Sequence, residues 1–223
     1  KSMILTPEEK KVIAYHETGH ALVAYYTKGA DPVHKITIIP RGQALGLTAQ
    51  LPEHERYNYP KKYLLGRIDI LMGGRCAEKI IFNDTTTGAG NDIEVATNIA
   101  KKMVCEWGMS EKIGPLTFGK KDEQVFLGKE MSKARDFSEN ISTLLDDEII
   151  KIVSQSEDNA TNILKNHLTE LHNVSSVLLE KETITGDEMI DIIKNRIKKT
   201  ESVSIDDNPK DKVEKKSRRS SNN

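Results

Sequence analysis

Apolar positions recur at helical spacing over most of this chain, and one short stretch breaks that rhythm. Thr6-Pro7-Glu8-Glu9 reads as a capping box with proline in the first turn. Val12, Ile13, Ala21, Leu22, Val23 and Ala24 carry the helix on towards Gly29, a natural stop. The period then shortens. Val33 to Ile39 reads as a strand, Pro40-Arg41-Gly42 as a turn, and Leu45 to Leu51 as a second strand closed by Pro52. Gly46 inside the second strand predicts a close backbone approach or an edge position. No other stretch carries a convincing strand signal.

Helical spacing resumes at Tyr63 with Leu64, Leu65, Ile68, Leu71 and Met72. It is interrupted at Gly73-Gly74 and continues through Cys76, Ala77, Ile80, Ile81 and Phe82. A loop over residues 85–90 leads to Asn91, read as the cap of a helix that turns Ile93, Ala96, Ile99, Ala100, Met103, Val104 and Trp107 inward and stops at Gly108. Residues 119–128 read as a mobile loop, and residues 136–155 and 157–172 as two long amphipathic helices. Thr185-Gly186-Asp187-Glu188 is a second capping box, opening a helix through Met189, Ile192, Ile193 and Ile197. From residue 200 to 223 the chain is rich in Lys, Ser and Asn without apolar periodicity, and is expected to be a disordered polar tail. The expected fold is mainly α, with a small β hairpin or sheet beside the first helix.

Composition narrows the function. The 223 residues are 37% hydrophobic, 30% charged and only 5% aromatic, with a net charge of -1. That balance excludes a nucleic-acid binder, which needs a basic face to displace phosphate counterions. Cys76 and Cys105 form no CxxC pair and are expected to be ordinary buried thiols in a reducing compartment. There is no apolar run of membrane-spanning length and no signal peptide, so a soluble piece is expected. Lys1-Ser2-Met3-Ile4-Leu5 leads straight into a helix start, as expected of a fragment of a longer polypeptide.

The chemistry lies in the first helix. His16-Glu17-Thr18-Gly19-His20 is H-E-x-x-H, and a four-residue spacing puts both imidazoles on one face about a turn apart, where they can share one ion. Glu17 is displaced around the helix and is free to accept a proton from water activated at a metal. Gly19 costs helix stability relative to alanine, so its presence points to a close approach at that position. A helix carrying two histidines by accident explains neither feature. A catalytic zinc needs a third protein ligand. None follows at the short metzincin spacing, because Ala21, Leu22, Val23 and Ala24 come next. His34 and His54 read as surface residues, and His167 and His172 as structural or exposed ones. Glu78 and Asp92 remain as acidic candidates, and spacing alone does not choose between them.

The stretches A-Y-H-E-T-G-H-A, G-G-R-C-A-E-K-I-I-F, T-T-G-A-G-N-D-I-E and W-G-M-S-E-x-I-G-P occur here in an order that resembles the peptidase domain of FtsH-type proteases, from Thr6 to Arg196. These are membrane-anchored, ATP-dependent zinc metalloproteases with an AAA+ module. The resemblance implies Asp92 as the third ligand of one Zn2+ per chain, beside His16 and His20, with Glu17 catalytic. It implies that Glu78 supports a ligand histidine, and that Leu45, Gly46, Leu47 and Thr48 belong to an edge strand that pairs with an extended polypeptide substrate. It further implies a homo-hexameric parent that degrades unfolded, misassembled or short-lived proteins, membrane proteins included. That parent would keep this domain on the cytoplasmic or organelle-matrix side. On this reading residues 1–199 form the peptidase domain, with the metal site in 6–108 and a helical part in 109–199. No G-x-x-x-x-G-K-[ST] loop is present, and the resemblance implies that ATP is used by an upstream module on the same full-length chain. Cys76 stands where a small residue such as alanine is usual, and is expected to alter packing and not chemistry. The rival reading, an idle module that only holds a ring together, would not require an intact H-E-x-x-H.

Overall fold

The computed structural model describes residues 5–40, 45–52, 55–118 and 138–204, with side chains through residue 195. Helix α1 (Pro7–Tyr26) runs through the centre. The Thr6 hydroxyl accepts from the Glu9 amide at 3.2 Å and the Glu9 carboxylate accepts from the Thr6 amide at 2.8 Å, completing the expected box. Every residue from Ile13 to Ala24 is buried, because α1 is covered on several sides by α2 (Lys61–Phe82), α4 (Glu139–Asn166), α5 (Leu168–Lys181) and the sheet. Helix α3 (Gly90–Cys105) packs on α2 and α4, and α6 (Gly186–Ser204) on α5. The sheet order is β2-β1-β3, all antiparallel, with β1 (Val33–Thr37) central and β2 (Leu47–Gln50) at an edge. Among the described residues no helix is long and apolar enough to cross a membrane.

Several elements differ from their sequence-based limits. Gly73-Gly74 does not interrupt α2, which is continuous. The pair lies where α1 crosses: a Cβ on Gly73 would sit 2.7 Å from the Gly19 carbonyl oxygen, and a Cβ on Gly19 would meet the Gly73 carbonyl. Close helix contact, absent from any one-helix argument, outweighs glycine's poor propensity. Gly73→Ala is therefore expected to destabilise the fold by about 1–3 kcal/mol, net of the helix-propensity gain alanine brings. A lowered urea midpoint at unchanged slope would register it.

Helix α3 starts at Gly90, so Asn91 lies inside its first turn and does not cap it. Ile93 and Trp107 are 36% and 45% exposed and do not face inward, and the helix ends at Cys105, short of Gly108. The two helices expected over 136–172 join differently. Helix α4 runs unbroken through Ser156 and the break falls at His167. The polar run that imitates a break is a contact surface: Asn159 donates to Asp69 at 3.4 Å and Glu157 meets Arg75 and Lys79, all on α2. A third strand, β3 (Thr183–Thr185), pairs with β1 and buries Ile184. At three residues it is too short to show alternation. Helix α6 opens with the expected box, Thr185 and Glu188 exchanging bonds at 2.9 and 3.1 Å, and reaches Ser204, into the stretch expected to be disordered. The mobile loop expected at 119–128 and the tail beyond Ser204 lie outside the described residues. Cys76 is buried against α4, where its thiol faces the Glu157 carbonyl and Thr161 hydroxyl, while Cys105 is only half-buried.

Candidate metal centre

The middle of α1 presents His16, Glu17 and His20, all less than 9% exposed. The two histidines turn their Nε2 atoms towards each other at 3.0 Å. Asp92, in the first turn of α3, brings Oδ2 to 3.3 Å from both. Among the described residues this is the one cluster of His, Cys, Asp and Glu whose ligand atoms lie close enough together to hold a metal ion. Asp92 is favoured there as a carboxylate by the positive end of α3.

The far nitrogen of each ring is already engaged. His20 Nδ1 lies 2.7 Å from the Ile70 carbonyl oxygen, which can only accept, so that nitrogen carries the proton. His16 Nδ1 lies 2.6 Å from Glu78 Oε1. Burial opposes ionisation of Glu78, but bonds from His16 and Thr86 lower its pKa, so it too accepts. Both Nε2 atoms are thereby left with lone pairs aimed at one point. Two lone pairs at 3.0 Å repel unless a positive charge sits between them. Gly74 leaves the room: a Cβ there would lie 2.5 Å from His16 Nε2 and 2.6 Å from His20 Nε2. The donor set, its protonation and this cradle fit a divalent ion such as zinc.

Without a bound ion, a proton would supply that charge. Burial works against an imidazolium at His16, but hydrogen bonds to Asp92 and Glu78 and the nearby charge of Glu17 outweigh it and raise the pKa from 6.5 to about 9. Burial also raises the Asp92 carboxyl, yet His16 and His20 more than offset this and hold it well below the usual carboxylate range. A folded pKa above the unfolded one stabilises the fold fully below pH 6.5, and this contribution is lost as pH rises through about 9. Thermal unfolding in chelator should therefore show a midpoint that falls between pH 6.5 and 9.

Glu17 stands beside this cluster without joining it. Its Oε2 accepts from the Thr48 hydroxyl at 2.7 Å, and Gly46 passes so close that a Cβ would lie 2.5 Å from Oε1. Of the four residues expected on the edge strand, Leu47 and Thr48 belong to β2, whereas Leu45 and Gly46 precede it. The other described histidines stay away. His34 is exposed on β1, His167 stacks on Tyr26, and His172 bonds the Tyr15 hydroxyl at 2.8 Å; His54 lies outside the described residues. Sequence reasoning placed Thr48 on the edge strand without its bond to Glu17, and missed the parts played by Gly74, the Ile70 carbonyl and Thr86, whose amide donates to Glu78 Oε2 at 2.7 Å. Of the last three only Gly74 left a signal, as a glycine read as a break in the helix.

An H-E-x-x-H helix whose glutamate borders a sheet edge, with a third donor arriving from a separate helix, defines a mainly helical domain of the metallopeptidase class. Residues 3–192 match the family model for Peptidase family M41, and the chain belongs to that family. It is similar to the ATP-dependent zinc metalloprotease FtsH of Acidobacterium capsulatum, 52% identical over 196 residues, covering 88% of this chain and 30% of that protein. The protein of the same name from Thermotoga maritima is 47% identical over 200 residues, covering 89% and 33%. ATP-dependent zinc metalloprotease FtsH 3 of Symbiobacterium thermophilum is 49% identical over 193 residues, covering 86% and 31%. The chain spans about a third of the length of these curated relatives.

Proposed function

We propose that this chain is the zinc endopeptidase domain of an ATP-dependent, membrane-anchored protease. In this reading His16, His20 and Asp92 hold one Zn2+, and residues 1–199 form the domain. The observation that carries it is the pair of Nε2 lone pairs 3.0 Å apart, with both Nδ1 atoms engaged and Asp92 alongside. Bound zinc supplies Lewis acidity, polarising a carbonyl and acidifying water. Glu17 takes the proton of the attacking water and passes it to the departing amine. Glu78 keeps the His16 ring oriented and its Nε2 free, and Ile70 does the same for His20. The outer edge of β2 takes an extended polypeptide by β-augmentation, led in by Leu45 and Gly46.

The relatives' names and their length support an AAA+ module on the same full-length chain that uses the ATP. The parent is a homo-hexamer with this domain on the cytoplasmic or organelle-matrix side, degrading unfolded, misassembled or short-lived proteins, including membrane proteins. An already unfolded substrate bypasses the ATP-driven step. The purified chain should therefore carry one zinc and cleave β-casein, stop with 1,10-phenanthroline, and recover with added zinc. A fully zinc-loaded chain that leaves casein and other unfolded polypeptides intact would sink the reading.

A further inference from the structure

We propose that Thr48 is a positioning residue for Glu17, its hydroxyl tying the reacting carboxylate to the edge strand β2. The inference rests on the reading of Glu17 as the proton-transferring group. Thr48 Oγ1 lies 2.7 Å from Glu17 Oε2 and 2.9 Å from the Glu17 carbonyl oxygen. Both partners only accept, so the hydroxyl is the donor and shares its single proton between them. Among the described residues no other group donates a hydrogen bond to this buried carboxylate.

The two contacts do different things. A carbonyl in mid-helix already accepts from the next turn, so the 2.9 Å bond sets where the strand lies against α1. The 2.7 Å bond acts on the side chain, selecting one carboxylate orientation. Gly46 completes the clasp: with no side chain it lets the strand close over Oε1, where a Cβ would lie 2.5 Å away. One oxygen is thus held by a hydroxyl and the other roofed by bare backbone.

The strand carrying the hydroxyl is itself pinned. Thr48 pairs with Ile36 on β1, and two residues further on the Gln50 amide donates to the Asp31 carbonyl at 2.6 Å and accepts from Arg67 at 2.7 Å. Tyr63 and Arg56 in turn hold the Asp31 carboxylate at 2.6 and 3.2 Å. Thr48 therefore sits on a fixed rail, and the strand whose edge would receive substrate also sets the direction of Glu17.

The test compares Thr48→Ser with Thr48→Ala, which lack the same methyl and differ by the hydroxyl alone, with Thr48→Val as the isostere. Zinc-loaded Thr48→Ala and Thr48→Val should lose about 10- to 100-fold in kcat on β-casein, as expected for a misdirected reacting group. KM and zinc content should stay close to wild type, and Thr48→Ser should restore kcat to within about threefold. A crystal structure of zinc-loaded Thr48→Ala should show the Glu17 carboxylate turned from its wild-type position. Equal kcat for the Ser and Ala variants, a loss confined to KM, or an unmoved carboxylate would each overturn the proposal. If Glu17→Gln abolishes turnover while all three Thr48 variants match wild type, only this inference falls. If Glu17→Gln itself turns over normally, the reading of Glu17 falls first.

Discussion

Glu17→Gln is expected to lower β-casein hydrolysis by ~10²–10⁴-fold while zinc content stays at the wild-type level. The amide has the volume of the carboxylate and keeps an oxygen able to accept from Thr48, so the clasp against β2 should survive. Glu17 also lies outside the three-residue cluster, so its charge is not needed to hold the ion. What disappears is the basic oxygen that takes a proton. Initial rates on fluorescent casein, with zinc measured by mass spectrometry on the same samples, separate these effects. A glutamine variant within about threefold of wild type would remove Glu17 from the reaction. One that lost its zinc would reassign it to the metal.

Asp92→Ala is expected to cost more zinc affinity than any other single change outside the histidine pair. Its Oδ2 lies 3.3 Å from both Nε2 atoms, so it completes the donor set and supplies the only negative charge within it. Glu78 makes a useful contrast. It touches the opposite nitrogen of His16 and acts through the ring, so Glu78→Ala should weaken zinc about 10- to 100-fold and Asp92→Ala by more than about 100-fold. Competition against a chromophoric chelator ranks the two variants. The reverse order would exchange the two acids' roles.

The contrast between these acids marks how far the sequence could be read. The H-E-x-x-H spacing within a helix predicts two convergent imidazoles without tertiary information, because four residues is about one turn. Both capping boxes and the β hairpin follow from local chemistry in the same way, whereas the edge position is one of two alternatives that Gly46 offers and otherwise what the resemblance implies. Glu78 and Asp92 could not be separated by spacing, because each reaches the site only through the packing of its helix on α1 or α2. Resemblance to a known family pointed to Asp92. In the structure Glu78 meets Nδ1 of His16, and Asp92 lies beside Nε2.

Misread elements share a cause. Gly73-Gly74 looks like a break when α2 is considered alone, and Ser156 looks like one within α4. In both cases a neighbouring helix supplies what the local sequence lacks, a backbone crossing in the first and polar partners in the second. Thr48 was legible as part of a strand but not as a partner of Glu17, since its contact spans 31 residues and depends on strand register. Register follows from the pairing of β1 and β2, which the sequence constrains only loosely.

Diffraction from crystals of the zinc-loaded chain at the zinc absorption edge tests the central claim most directly. The account predicts one strong anomalous peak per chain, within about 2.0–2.2 Å of His16 Nε2, His20 Nε2 and Asp92 Oδ2, with Glu78 and Glu17 uncoordinated. A peak at other residues, or none at this cluster in a chain that binds zinc, would contradict it.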